Sequence, residues 1–129
     1  MKSFKTLILL LLIQFALHSA KAQEKEQLVR LAKLVIDSVQ LEDYKVFLKE
    51  EIETSLRVEP GVLTLYAVSE KERPNYITIL EIYQDMDAYK AHIQTPHFLK
   101  YKNGTLHMVQ SLELVETVPL LPLKGNYPR

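Results

Sequence analysis

The sequence predicts an α+β domain, one four-stranded antiparallel sheet with two helical layers on one face, in the order β-α-β-β-α-β. Three observations predict it. Four segments are rich in apolar, β-branched and aromatic residues, as strands are. Between them, apolar residues recur at spacings of three and four, as on the buried stripe of a helix. Proline, glycine, asparagine and aspartate cluster where these patterns change.

The first strand runs from Leu28 to Ile36, and Asp37-Ser38 is a turn. Leu41, Tyr44, Leu48, Ile52 and Ser55-Leu56 form a helical stripe, with Glu42, Lys45, Lys49, Glu50 and Glu53 outside it. Glu59-Pro60-Gly61 ends that helix, because proline cannot continue the hydrogen-bond ladder and glycine accepts positive φ. Val62 to Ser69 is the second strand, residues 70–75 a charged turn, and Tyr76 to Tyr83 the third strand. Asp85 caps a helix over about Met86 to Gln94, and Thr95-Pro96 restarts it with threonine as cap and proline in the first turn. Asn103-Gly104 is expected to stop that second piece, and Thr105 to Val115 is the fourth strand. This order is the ferredoxin-like arrangement.

The ends read differently. Lys2 and Lys5 precede an apolar run, Leu7 to Leu17 with Gln14 inside it, and Ala20-Lys21-Ala22 supplies small residues at alternate positions. This is the tripartite pattern of a cleavable export signal, so residues 1–22 are expected to direct the chain to the periplasm or the medium. The apolar run is about half the roughly 20 residues a membrane-spanning helix needs, so no stable membrane anchor is expected. Residues 23–118 form the domain and residues 119–129 a proline-rich tail. Cleavage leaves 13 basic against 16 acidic residues, a net charge of −3, which argues against nucleic acid as a partner. The chain has no cysteine, which excludes disulfides, thiolate catalysis and sulfur-ligated metals.

The sheet has two apolar faces. In the second strand, simple alternation groups Val62 with Thr64 and Tyr66, against Leu63, Leu65 and Ala67. In the third, Ile77 and Ile79 oppose Leu80 and Ile82. A sheet with one wet face alternates apolar and polar residues. Helices cover one face here, so a second copy of the chain is expected on the other, making a homodimer, with the proline-rich tail as the alternative cover.

The residues suited to chemistry are Glu81, Tyr83, His92, His97, Phe98 and Tyr101. Glu81 lies in an apolar context, Ile79-Leu80-Glu81-Ile82, where a carboxylate is either at a solvated strand position or in a pocket that raises its pKa. The histidines are five apart and separated by Pro96, which is not the i, i+4 metal spacing of a helix, and no metal is expected. A histidine, a carboxylate and a phenol around an apolar cleft suit proton transfer on a small organic ligand.

The stretches Ile79-Leu80-Glu81-Ile82-Tyr83-Gln84-Asp85 and Ala91-His92-Ile93-Gln94-Thr95-Pro96-His97-Phe98 resemble the signature of the antibiotic biosynthesis monooxygenase (ABM) domain family, especially its quinol monooxygenase branch. The Glu59-Pro60-Gly61-Val62-Leu63 turn and the element order fit as well, over residues 28–116. The resemblance implies a dimeric α+β barrel. It also implies oxidation of a quinol-like or phenolic small molecule by O2, with no metal or flavin, because the substrate supplies the electrons. By position, His92 and His97 match the family's paired histidines and Glu81 its strand carboxylate, so these three are the expected catalytic residues. Tyr83, Phe98, Tyr101 and Tyr66 are the expected pocket residues. Tyr83 stands where many members carry tryptophan, which this chain lacks throughout. Two other readings use the same groups: an isomerase or tautomerase of a small carbonyl compound, and a non-catalytic exported dimer that binds a small ligand.

Overall fold

The computed structural model describes residues 25–121. The expected export signal, residues 1–22, and residues 122–129 of the tail lie outside the described residues. The elements are β1 (Leu28–Ile36), α1 (Leu41–Val58), β2 (Val62–Ser69), β3 (Tyr76–Tyr83), α2 (Met86–His92), α3 (Pro96–Thr105) and β4 (Val109–Thr117). Short 3-10 turns, Ser38–Gln40 and Leu106–Met108, precede α1 and β4. The sheet order is β2-β3-β1-β4, with every pair antiparallel, so the ferredoxin-like α+β arrangement stands. Among the described residues no helix is long and apolar enough to cross a membrane.

The local chemistry accounts for the boundaries. The Asp37 carboxylate accepts from the Val39 N–H and starts the turn into α1. The Asp85 carboxylate accepts from the Ala88 N–H at 2.7 Å, and the Thr95 hydroxyl from the Phe98 N–H, giving α2 and α3 their N-caps. The first helical layer buries Leu41, Tyr44 and Leu48 against Ala32, Leu34, Ile36, Ile77 and Ile79 of the sheet. A smaller cluster of Val62, Leu65 and Tyr83 packs at the other end.

Four boundaries differ from the sequence reading. α2 ends at His92 rather than Gln94. α3 runs through Asn103 and Gly104 to Thr105, so that pair is no stop. β4 accordingly spans Val109–Thr117 rather than Thr105 to Val115. No described glycine has positive φ, Gly61 included. Both described glycines serve close approach instead. A Cβ on Gly104 would lie 2.5 Å from Cε1 of Phe47, and one on Gly61 would lie 2.7 Å from Cβ of Ala88.

The alternation in β2 is also corrected. Val62 pairs with Tyr83, yet Thr64 pairs with Ile82, so Leu63 is an extra residue in a β-bulge. The bulge puts Val62 and Leu65 on the helix-covered face together. Thr64, Tyr66 and Val68 fall on the opposite face. Tyr66 is 65% exposed and therefore leaves the set of expected pocket residues.

The contact at Gly61 is checkable. Ala88 is fixed to the α2 backbone, so its Cβ cannot swing aside. Gly61→Ala is expected to lower stability by about 1–3 kcal/mol in denaturant unfolding. Ala88→Gly in the same chain should recover part of that loss; no recovery would place the strain elsewhere.

Candidate active site

The site is assembled where three helix ends meet. Glu59 follows the last residue of α1, and its backbone N–H still donates to the Ser55 carbonyl at 2.9 Å. His92 closes α2, and His97 lies in the first turn of α3. The chain between them leaves the helical path at 93–95, because Pro96 begins a new helix. That break lets two histidines five apart converge. Glu59 Oε2 lies 2.9 Å from His92 Nδ1 and 2.7 Å from His97 Nε2.

A second carboxyl flanks the other side of the His92 ring. Glu51 Oε1 lies 3.4 Å from His92 Nε2 and accepts from the Ser55 hydroxyl at 2.8 Å. The ring itself is 2% exposed, with the Phe98 and Tyr83 rings at centroid distances of 5.0 and 5.3 Å. Neither Glu51 nor Glu59 was singled out in the sequence for this site. A signal existed for Glu51: it lies three residues after Leu48 and four before Ser55, inside the buried stripe rather than outside it. Glu59 had no comparable signal, since a residue beyond a helix end has no periodic partner.

His92 and Glu51, though not Glu59, border a cavity of about 270 Å³ between the sheet and the helices. Ala32, Leu34, Leu48, Leu65 and Ile79 form its apolar wall. Glu51, Glu81, Tyr83, His92, Phe98 and Tyr101 line it as well. It opens along β4, beside the exposed Leu112 and Leu114. A dry cavity of about 150 Å³ is enough to take benzene, so this one is large enough for a substituted ring. His97 does not line the cavity; it reaches the site through Glu59.

Glu81 resolves to the pocket alternative. Its carboxyl is half-buried on the helix-covered face, next to Arg30 and Leu65 in register. Its hydrogen-bond partner is Tyr83, whose hydroxyl donates at 3.4 Å, rather than His92. Burial pushes the Glu81 carboxyl above the usual range, with Arg30 pulling the other way. Burial likewise raises Glu51, against the Ser55 hydrogen bond. At Glu59 burial also opposes ionisation, yet the hydrogen bonds from His92 and His97 hold its carboxyl below the usual range. Burial lifts the Tyr83 phenol, and the Glu81 carboxylate adds to it. Tyr44 shares a 2.7 Å hydroxyl contact with Tyr101, and burial pushes it up to about 12.

The lining therefore brings Glu51 and Glu81, both with carboxyls raised by burial, and the phenols of Tyr83 and Tyr101 together with His92, which Glu51 approaches to 3.4 Å. A phosphorylated substrate would want a basic lining, yet Arg30, Lys33, Arg57 and Arg73 do not line the cavity. Arg30 stacks over Tyr89 at 4.3 Å and reaches Glu116 at 3.3 Å, while Arg73 is paired with Glu70. The lining cation is Lys102, which is exposed.

The raised carboxyl at Glu81 has a consequence for stability. A folded-state value above the unfolded one favours folding at low pH, and that contribution is lost as pH rises past the ordinary carboxylate value near 4.5. Glu81→Gln is therefore expected to raise the melting temperature at neutral pH, with the gap over the wild type closing on acidification. A gap independent of pH would show that Glu81 ionises normally in the folded chain.

Comparison with known proteins agrees with this architecture. Residues 10–104 match the family model described as antibiotic biosynthesis monooxygenase. A candidate antibiotic biosynthesis monooxygenase from Bacteroides thetaiotaomicron VPI-5482 is 63% identical, with a TM-score of 0.76 over 77% of this chain and 94% of that one. A candidate monooxygenase from Lactobacillus acidophilus NCFM is 31% identical, with a TM-score of 0.71 over 76% of this chain and 46% of that one. A third structure, from Nitrosomonas europaea, shares the fold at 20% identity and a TM-score of 0.70, over 76% of this chain and 94% of that one. No curated protein matches the chain significantly. With the sheet order, the helix-capped cavity and these matches together, the chain belongs to the antibiotic biosynthesis monooxygenase family.

Proposed function

We propose that the protein is a monooxygenase that oxidises an uncharged quinol-like or phenolic ring with O2, the substrate itself supplying the electrons. The carrying observation is the pairing of one imidazole, backed by a carboxylate, with a largely apolar cavity of ring size that opens along β4. Glu81, Tyr83 and Tyr101 hydrogen-bond the ring substituents, and Phe98 packs on its face. His92 removes a proton from a ring hydroxyl. The resulting anion is electron-rich enough to reduce O2 directly. One oxygen atom enters the ring and the other leaves as water, so a hydroquinone with O2 gives a hydroxyquinone and water. An apolar, water-poor cavity strengthens each electrostatic contact made during this sequence. The lack of a buried cation in the lining weighs against a phosphorylated carbonyl compound as substrate.

The second face of the sheet bears on how the domain is held. Leu31, Val35, Leu80, Ile82, Tyr66 and Val68 share the face away from the helices by register. A second copy packed there removes this apolar surface from water, and a two-sheet barrel results. Export to the periplasm or medium fits the same reading, since a domain without disulfides then relies on packing and self-association for stability.

Oxygen consumption with a panel of hydroquinones tests the chemistry. Turnover by the wild type and a fall of roughly 10²- to 10⁴-fold in His92→Ala is the expected result. Equal rates for the two proteins, or turnover without O2, refutes it. Sedimentation tests the assembly: the wild type should run as a dimer, and Tyr66→Glu should shift it toward monomer. A monomeric wild type rules the second copy out.

A further inference from the structure

We infer that Glu59 is the positioning residue of this site, holding His92 in the tautomer protonated at Nδ1 so that the Nε2 lone pair is left for the ligand. The inference deepens the proposed function and rests on it for its catalytic meaning, though not for its geometry. The two ring nitrogens of His92 meet different carboxyls. Nδ1 is 2.9 Å from Glu59 Oε2, a hydrogen-bond distance, whereas Nε2 is 3.4 Å from Glu51 Oε1, beyond a good one. The same Glu59 oxygen takes a second contact from His97 Nε2 at 2.7 Å. With both ring nitrogens donating, that oxygen belongs to a carboxylate, and the two contacts are what permits a charge at a site only 14% exposed. Glu51 is more deeply buried, and its oxygen is served by the neutral Ser55 hydroxyl alone. Burial raises its carboxyl above the usual range, so it pulls less on a proton at Nε2 than Glu59 does at Nδ1.

The ring proton therefore settles on the side of the charged carboxyl. A neutral imidazole has one donor and one acceptor nitrogen, and the partner of one decides the role of the other. Nε2 is the nitrogen beside Glu51, and both residues line the cavity. When it takes the proton from a ring hydroxyl, the imidazolium is stabilised by Glu59 without further movement. His97 does not meet the ligand; it steadies the Glu59 carboxylate from behind.

Nitrogen-15 NMR of the histidine rings reads the tautomer directly in the wild-type protein near neutral pH, without substrate. The expected result is a protonated Nδ1 and an unprotonated Nε2 on His92. Glu59→Gln should move the proton to Nε2, because the glutamine amide can donate to Nδ1, and Glu59→Asp should restore the original tautomer in part. A wild-type His92 protonated at Nε2, or a tautomer unmoved in Glu59→Gln, overturns the inference. So does tight binding of one Zn²⁺ that displaces the proton from both rings, since the ligand atoms of Glu59, His92 and His97 lie within 4.8 Å of one another. In turnover of a hydroquinone, Glu59→Gln should lower kcat roughly 10²- to 10⁴-fold with KM nearly unchanged. If the wild type consumes no hydroquinone at all, the proposed function falls, and the NMR result still decides the role of Glu59.

Discussion

A single carboxylate oxygen organises this end of the molecule. Glu59 Oε2 is shared by His92 and His97, so it ties the end of α1 to the end of α2 and the start of α3. Each helix end contributes through a local event. α1 stops before Pro60, α2 stops at His92, and α3 restarts on the Thr95 cap. Gly61 matters for the same reason. It lets α2 approach the start of β2 at a distance that a side chain would forbid, and its carbonyl accepts from the Gln84 N–H at 2.8 Å. Were α2 held farther out, the His92 ring would leave both Glu59 and the cavity.

The site is built from three acids in unlike states. A buried charge is tolerated when donors surround it, and the several kcal/mol of desolvation otherwise drive a carboxyl to its neutral form. Glu59 has two histidine partners and is partly open. Glu51 has Ser55, and Glu81 has Tyr83 and the field of Arg30. One carboxyl held below the usual range and two raised above it make the proton affinity differ from one side of the His92 ring to the other. Burial disfavours charge on the two carboxyls that line the cavity, which fits the uncharged ring proposed as substrate.

Much of this was legible in the sequence, and what was not has physical causes. The strands β1 to β3 and the Thr95-Pro96 restart follow from patterns with a local period or a local cap. Asn103-Gly104 misled because a glycine near a helix end was read for its φ, while Phe47, more than fifty residues away, is what requires it. The β2 alternation failed at Leu63 because a bulge depends on pairing with another strand. At the site, the resemblance placed His92 and Glu81 in the cavity, with Tyr83, Phe98 and Tyr101. It gave no role to Glu59, whose carboxyl oxygen lies within hydrogen-bond reach of both histidines. Such a partner is set by a helix end meeting another helix end, and no spacing along the chain records that meeting.

The bulge at Leu63 joins the two halves of the design. β1 and β3 are central strands, so their residues alternate between the cavity side and the far face. Ala32, Leu34, Ile79 and Glu81 go to one side, and Leu31, Val35, Leu80 and Ile82 to the other. A slip of one residue would exchange these sets and move Glu81 out of the cavity. β2 must join this register while also carrying Gly61 and Val62 in toward α2. An odd spacing between Val62 and Leu65 forbids that in a regular strand. The extra residue at Leu63 absorbs the mismatch, keeping both in the small core beside Tyr83 while Tyr66 and Val68 remain on the far face. The cavity and the face proposed for a second copy thus lie on opposite sides of the same strands. Association through the far face can stabilise the sheet without closing the mouth along β4.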